Sequence, residues 1–317
     1  MLTGSSTVAF ATCPARASAR GTAGTGDFVI RAQSAADAPR GLGGDAIQVF
    51  SFVGSQVMTS LGAFGQFWVF AWHMAVWLLP DLPRWRTWGR AMPLFYEVGN
   101  RTLPVILITG MFVGLVLAVQ SYDQLKAAGF EERMGVLVTL SLVKELGPVL
   151  AGVMLAGRIG GALTAELGTM HVTEQIDALR VMGVDPIRHL VLPRFLACLL
   201  LSPLLTFFCD LIGSIAGWAI AVGLKGIPSE PYWFFIADAV EWWDVATGLI
   251  KSIIFGGAIG LIACYKGFTC RPGAEGVGRA CTEAFVVSFI AILASDFFIA
   301  TLMQGLYKTI WGFRSLI

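Results

Sequence analysis

Long stretches of this chain, each about the length of a membrane-crossing helix, contain almost no Asp, Glu, Lys or Arg. A bilayer core about 30 Å thick needs ~20 apolar residues for each helix that crosses it. Only 14% of the 317 residues are charged and 56% are hydrophobic, whereas roughly 25% are charged in an average soluble domain. The chain is therefore predicted to be an all-α integral membrane protein.

The apolar stretches divide the chain into a tail and a membrane domain. Residues 1–45 are rich in Ala, Gly, Ser, Thr and Arg and predict a disordered tail, with a transit peptide as the alternative. Residues 46–317 are the predicted membrane domain. It opens with an apolar helix at 47–79 whose densest part is short for a span, which favours an interfacial helix. The five predicted transmembrane helices are residues 103–120, 135–157, 190–224, 245–268 and 281–306.

Basic residues indicate the orientation of these spans. The loops at 84–101, 158–194 and 266–279 hold roughly twice as many Lys and Arg residues as the loops on the other side. The positive-inside rule therefore places these three loops in the cytoplasm. The acidic connection at 225–244 is predicted to face the opposite side.

The cytoplasmic connection between the second and third spans predicts a short amphipathic helix. Thr173 is expected to cap it, with acidic residues in its first turn, and Gly183 is expected to end it. Asp185 and Pro186 are the expected cap and first residue of the next helix.

An apolar stripe on this short helix, built from Val172, Ile176, Leu179 and Met182, could receive force from a cytosolic motor. The alternative is a surface helix that floats at the interface. The predicted residues of this coupling segment are Thr173, Glu174, Gln175, Ile176, Asp177, Leu179, Met182, Gly183, Asp185 and Pro186.

Ionisable residues also occur inside the predicted spans, where each costs several kcal/mol unless it faces protein or water. Adjacent Lys144 and Glu145 point about 100° apart on a helix and are not expected to neutralise each other. Pro148 is expected to kink the second span beside them. A structural ion-pair network and a polar patch along a headgroup path both remain open. The ionisable residues within the spans are Lys144, Glu145, Asp210, Lys251 and Asp296.

Several functional classes lack their motifs. The six cysteines show no CxxC spacing, the three histidines form no HExxH, and neither a metal site nor a cofactor is expected on this chain. A GxxxxGK[ST] phosphate loop is also missing, so an ATPase would have to be another chain. The net charge of +1 gives no reason to expect nucleic acid.

A long ordered run from Leu140 to Arg194, LSLVKELGPVLAGVMLAGRIGGALTAELGTMHVTEQIDALRVMGVDPIRHLVLPR, resembles the signature region of the MlaE (YrbE-type) permease family. Thr109–Tyr122 (TGMFVGLVLAVQSY), the fourth span with Lys251 and the fifth span with Asp296 are also similar to its pattern. The resemblance extends over roughly residues 60–310 of the chain.

The resemblance implies a permease homodimer in the inner (cytoplasmic) membrane, with an organellar envelope less favoured. It further implies a cytoplasmic ABC ATPase dimer that binds ATP and Mg²⁺ and sits on the coupling helices. An MCE-domain lipid-binding protein and a STAS-domain protein are the other implied partners, and membrane phospholipid is the implied cargo. The positions matching the family's lipid cavity are Val119, Tyr122, Glu145 and Leu146.

Other transport and enzyme classes compete with this reading. An ion-coupled secondary transporter would use Glu145, Asp210 or Asp296 to carry protons or sodium, but no inverted repeat is visible. A membrane-embedded enzyme lacks a nucleophile–base pair or metal constellation. Four GxxxG spacings predict close helix packing, within one bundle or at a dimer face.

Overall fold

The structure, a computed structural model, describes residues 64–78 and 85–311, together with Met58, Gly62 and Pro80. Those residues form helices and their connections, without β-strands among them. The predicted all-α class is confirmed for this part of the chain. The predicted tail at 1–45 lies outside the described residues.

Five of the described helices are long and apolar enough to cross a membrane, which confirms the five predicted spans. Each begins before its predicted first residue, and three also end after their predicted last residue, because the helical hydrogen bonds continue into polar sequence that a hydropathy pattern does not mark. In chain order the helices are α1 (residues 64–78), α2 (Trp85–Ala128), α3 (Glu131–Val172), α4 (Gln175–Val181), α5 (Ile187–Gly223), α6 (Ser229–Ala239), α7 (Trp242–Phe268) and α8 (Ala274–Trp311).

The second span, α3, is one continuous helical rod that runs past its predicted end at residue 157 to Val172. It begins with a single 3₁₀ turn and contains two π-helical turns, at Leu142–Leu146 and Ala156–Gly160. The first π turn ends at Leu146, two residues before Pro148. Such turns widen the helix and often occur at functional sites.

Glycines bring the long helices into backbone contact. A side chain at Gly114 on α2 would overlap the backbone of Gly213 on α5, and one at Gly256 on α7 would overlap α5 at Cys198 and Ser202. Close approach at small residues is the usual basis of helix association in lipid. Three of the four GxxxG spacings therefore serve packing within this chain.

Helix α1 packs at the end of the molecule that carries α4, here named the coupling end. Met74 is buried, and the ring of Phe70 lies 5.6 Å from that of Tyr265 on α7. The guanidinium of Arg188 lies 4.8 Å from the centre of the Trp77 ring. The assignment of the whole 47–79 segment as interfacial stays a prediction.

Helix α6 is a feature that the sequence did not predict. It occupies the 225–244 connection, and its Tyr232 and Ile236 are buried against Met134 and Val138 of α3. A side chain at Gly135 would crowd the Tyr232 ring. Its large apolar residues form one unbroken run, YWFFI, which shows no helical periodicity in the sequence.

Candidate functional site: a coupling helix and an intramembrane charge cluster

The coupling helix α4 begins without the predicted side-chain cap. Glu174 precedes it in the left-handed conformation, with φ of 60°, and makes no capping hydrogen bond. The hydroxyl of Thr173 instead donates to the carbonyl of Thr169, 2.8 Å away, at the end of α3. The prediction that Thr173 caps α4 is therefore wrong, because its hydroxyl bonds back to the preceding turn, as Thr often does within helices.

The end of α4 and the start of α5 follow the sequence prediction. Gly183 has φ of +74°, and its N–H bonds to the Arg180 carbonyl while the N–H of Val184 bonds to that of Leu179. These two bonds form a Schellman motif, which confirms Gly183 as the stop. The Asp185 carboxylate accepts the N–H of Ile187 at 3.0 Å, and Pro186 opens the next helix.

The apolar stripe of α4 faces the chain's own core. Ile176 is 1% exposed and packs in a buried cluster with Leu167 and Leu190, and Leu179 packs against the same cluster. The expectation that these two side chains form a docking surface is wrong, because they fix α4 to α3 and α5. Val181 and Met182, at 90% and 67% exposed, are the apolar side chains that project outward.

An ion pair that the sequence did not predict, with a buried arginine and a half-exposed glutamate, ties the two helices flanking α4 together. The Arg194 guanidinium on α5 lies 2.5 Å from the Glu166 carboxylate on α3, and it also donates to the Leu190 carbonyl at 2.8 Å. Arg194 is only 6% exposed. An arginine within the apolar start of the third span was the signal that could have identified it.

A second buried cation lies between the second, fourth and fifth spans. Lys251 is 0% exposed, and its Nζ lies 2.6 Å from Glu145 Oε2 and 2.9 Å from Asp296 Oδ1. Its ammonium also donates to the carbonyl of Lys144 at 3.0 Å. The structure therefore brings together three of the five predicted ionisable residues.

The carbonyl of Lys144 lacks its usual α-helical donor for a simple reason. Its α-helical donor would be the N–H of the residue four positions later, which is Pro148, and proline has no N–H. The π turn at Leu142–Leu146 also shifts the local bonding, since the Gly147 N–H bonds to Leu142. The Lys251 ammonium therefore satisfies a carbonyl that the proline leaves unpaired.

Lys144 and Glu145 have different partners, as their divergence on the helix predicted. The Lys144 ammonium lies 2.8 Å from the Asp244 carboxylate at the start of α7. Asp244 also accepts the N–H of Glu241 in a capping box that begins this helix. The first turn of α7 is thus anchored electrostatically to α3.

Asp210 is placed apart from this cluster. Its carboxylate lies against Gly147 between α3 and α5, and its Oδ1 is buried without a hydrogen-bond partner among the described residues. Gly147 leaves the space that Asp210 occupies.

The positions matched to a lipid cavity are only partly adjacent in one chain. Tyr122 and Leu146 pack against the same buried cluster, whereas Val119 is exposed on α2. The Tyr122 ring also lies 4.3 Å from the ammonium of Lys225. Glu145 is half exposed beside Lys251. A cavity wall built from these four residues stays a prediction.

The permease MlaE family model matches residues 92–302 of this chain, which takes in most of all five long helices. The chain belongs to the MlaE permease family. The matched region of this MlaE-family chain contains the coupling helix, the ion pairs of Arg194 and Lys251, and Asp210, and it begins after α1.

Several curated proteins are similar in sequence to this chain. A probable ABC transporter permease of Rickettsia typhi is 42% identical over 206 residues, which cover 65% of this MlaE-family chain and 80% of the relative. The MlaE permease of the intermembrane phospholipid transport system of Haemophilus influenzae is 38% identical over 211 residues, covering 66% and 81%. The Arabidopsis thaliana chloroplast protein TRIGALACTOSYLDIACYLGLYCEROL 1 is 36% identical over 214 residues, covering 68% and 61%.

Proposed function

We propose that this chain is the membrane-spanning permease subunit of an ATP-driven ABC transporter that moves phospholipid or a similar lipid between membranes. The chain is a multi-pass membrane protein of the MlaE permease family, and the match over residues 92–302 is the observation that carries the proposal. The relative in Haemophilus influenzae is named for phospholipid transport between membranes. Phospholipid is therefore the cargo that we infer.

A separate chain would hydrolyse ATP, bound with Mg²⁺. The coupling helix is built for this arrangement, because its buried Ile176 fixes it to the core while Val181 and Met182 remain open for a partner. The Glu166–Arg194 ion pair joins α3 to α5 beside it. A force applied to α4 would therefore move α3 and α5 together, because α4 is packed against both helices.

The remaining partners follow from the family. We propose a homodimer of this chain, a dimeric cytoplasmic ATPase, an MCE-domain protein at the opposite end, and a STAS-domain protein bound to the ATPase. We place the assembly in the inner membrane. Exposed apolar side chains on α8, including Phe297, Phe298 and Leu302, offer surface for lipid or for a second copy of the chain.

An ion-coupled secondary transporter is not favoured. Two of its three proposed carboxylates, Glu145 and Asp296, are ion-paired with Lys251, which is fully buried. A carrier that loads and releases a proton at either carboxylate would have to break those pairs.

Reconstitution tests the proposal directly. The chain is co-expressed with candidate ABC ATPase and MCE-domain proteins, purified, and reconstituted with fluorescent phospholipid in donor vesicles. We expect native mass spectrometry to give two copies of this chain with two ATPase copies, and phospholipid transfer to require ATP hydrolysis. A non-hydrolysable ATP analogue is the control. Transfer driven by a proton or sodium gradient without ATP would instead establish the secondary transporter.

A further inference from the structure

A cleft opens between α7 and α8 at the coupling end, and neither α4 nor the Lys251 charge cluster contributes a residue to its lining. It has a volume of about 170 Å³, below the ~300–1,000 Å³ of pockets that enclose drug-sized ligands. A space of this size suits one small charged group. The polar side chains that line it include Lys266, Arg271, Arg279 and Glu283.

The charges of this cleft do not balance. Glu283 is its single carboxylate, and it pairs with both Lys266, at 2.9 Å, and Arg279, at 3.3 Å. Arg271 makes no salt bridge to any residue that the structure describes. Three cations therefore surround one anion, and the cleft retains positive charge for a ligand.

The loop that positions Arg271 is held in a tight turn. A side chain at Gly276 would overlap the Arg271 carbonyl, so the backbone can fold this closely only because position 276 is glycine. Gly273, with φ of +102°, lies within the same turn. The glycines thus fix the backbone at Arg271, whose side chain lines the cleft together with Lys266 and Arg279.

The cleft lies where lipid headgroups of the cytoplasmic leaflet are expected. Lys266 is in the last turn of the fourth span, and Arg279 is near the start of the fifth. The basic 266–279 loop is the one that the positive-inside rule places in the cytoplasm. Basic pockets between spans on this side are suited to anionic headgroups.

We propose that this cleft binds the phosphate group of an anionic phospholipid from the cytoplasmic leaflet. Arg271 and Arg279 provide planar donors that can bind two phosphate oxygens at once, and Lys266 adds a point charge. The lining of the cleft contains none of the residues matched to a lipid cavity, and its assignment does not depend on the proposed transport function. Free inorganic phosphate shares the chemistry and is the other possible source of the group.

Lipid titration of the purified full chain tests the site. The chain in neutral detergent is titrated with phosphatidylglycerol, phosphatidylcholine or inorganic phosphate and followed by native mass spectrometry. A phosphatidylglycerol probe with a photoreactive headgroup then locates the contact by peptide mapping. The test variant is Arg271→Gln with Arg279→Gln. Arg101→Gln, a change of an exposed arginine elsewhere on the same side, is the matched control.

We expect the probe to label peptides within 266–283 and phosphatidylglycerol to bind more tightly than phosphatidylcholine. The double variant should bind the first phosphatidylglycerol molecule at least about tenfold more weakly, equivalent to ~1.4 kcal/mol. Arg101→Gln should leave this affinity unchanged. Binding of inorganic phosphate without preference for phosphatidylglycerol would overturn the lipid assignment. Equal affinities in the double variant and the control would overturn the site itself.

Discussion

The carboxylate of Asp210 lies so close to Gly147 that a methyl group on Gly147 would overlap Asp210 Oδ1. These two residues join the second and third spans just after the π turn. The absence of a side chain at position 147 therefore decides how near α3 and α5 can approach.

Gly147→Ala is expected to destabilise the protein. The added methyl group must displace Asp210 or separate the helices, and overpacking of this kind costs about 1–3 kcal/mol. Thermal unfolding in detergent, followed by tryptophan fluorescence, measures the loss. Gly161→Ala is the matched control, because a side chain at Gly161 meets nothing within 4 Å. Asp210→Ser should restore much of the stability of Gly147→Ala, and equal melting temperatures for the two glycine variants would contradict the steric explanation.

Lys251→Met is expected to destabilise the bundle by about 3 kcal/mol, near the lower end for breaking a buried ion pair because Glu145 is half exposed. The substitution leaves Glu145 and Asp296 facing each other without their cation. Thermal unfolding is again the measurement, and Lys126→Met, at an exposed lysine, is the control. Adding Glu145→Gln and Asp296→Asn should recover stability. A single variant as stable as the original protein would mean that the pairs contribute little.

Glu145→Gln separates a role in transport from a role in folding. The amide keeps the side chain's shape and Asp296 still pairs with Lys251, so assembly should be normal. We expect ATP-dependent lipid transfer between vesicles to fall by about tenfold or more, about 1.4 kcal/mol in the transfer barrier, if the charge contributes to moving the headgroup. Asp123→Asn, at an exposed carboxylate, is the control. Unchanged transfer would leave Glu145 with a packing role alone.

Val181→Asp with Met182→Asp is expected to abolish co-purification of the ATPase while the chain stays folded. Both side chains project from the coupling helix, and an apolar side chain buried in a partner contributes ~1.5–3 kcal/mol. Two charges should weaken docking at least about a hundredfold. The control is Phe130→Asp, an exposed apolar position between the first and second spans. Retained ATPase binding would place the docking surface elsewhere.

Cysteine labelling tests the predicted orientation. Single cysteines at Gln175 and at Ser229, in a background without native cysteines, should react with an impermeant reagent from opposite sides of the membrane. Both positions are exposed and lie at opposite ends of span α5. Labelling of both from one side would contradict the positive-inside assignment.

The sequence predicted the long elements well because their signals are local. Apolar stretches marked the five spans, and Gly183 marked the end of the coupling helix. Helix α6 was missed because its large apolar residues form one unbroken run, which carries no helical periodicity.

Contacts between distant residues could not be predicted in the same way. The sequence singled out both Pro148 and Lys251. It could not show that the lysine donates a hydrogen bond to the carbonyl of Lys144, which lies 107 residues earlier in the chain. The stripe around Ile176 was recognised as apolar, but periodicity alone cannot tell whether the chain itself or a partner covers it. Only the packing of α4 on α3 and α5 assigned Ile176 to the core.

Because α3 is continuous, it can act as one rigid helix that links the charge cluster to the coupling helix. Glu145 and Val172 lie on one rod, and at a rise of 1.5 Å per residue the helix between them is about 40 Å long. That length exceeds the ~30 Å hydrocarbon core of a bilayer. Pivoting the rod at its midpoint by about 5° would shift each end by almost 2 Å in opposite directions, by the same helix geometry. Motion of the coupling helix would thereby reach the Lys251 charge cluster through the backbone of α3 itself.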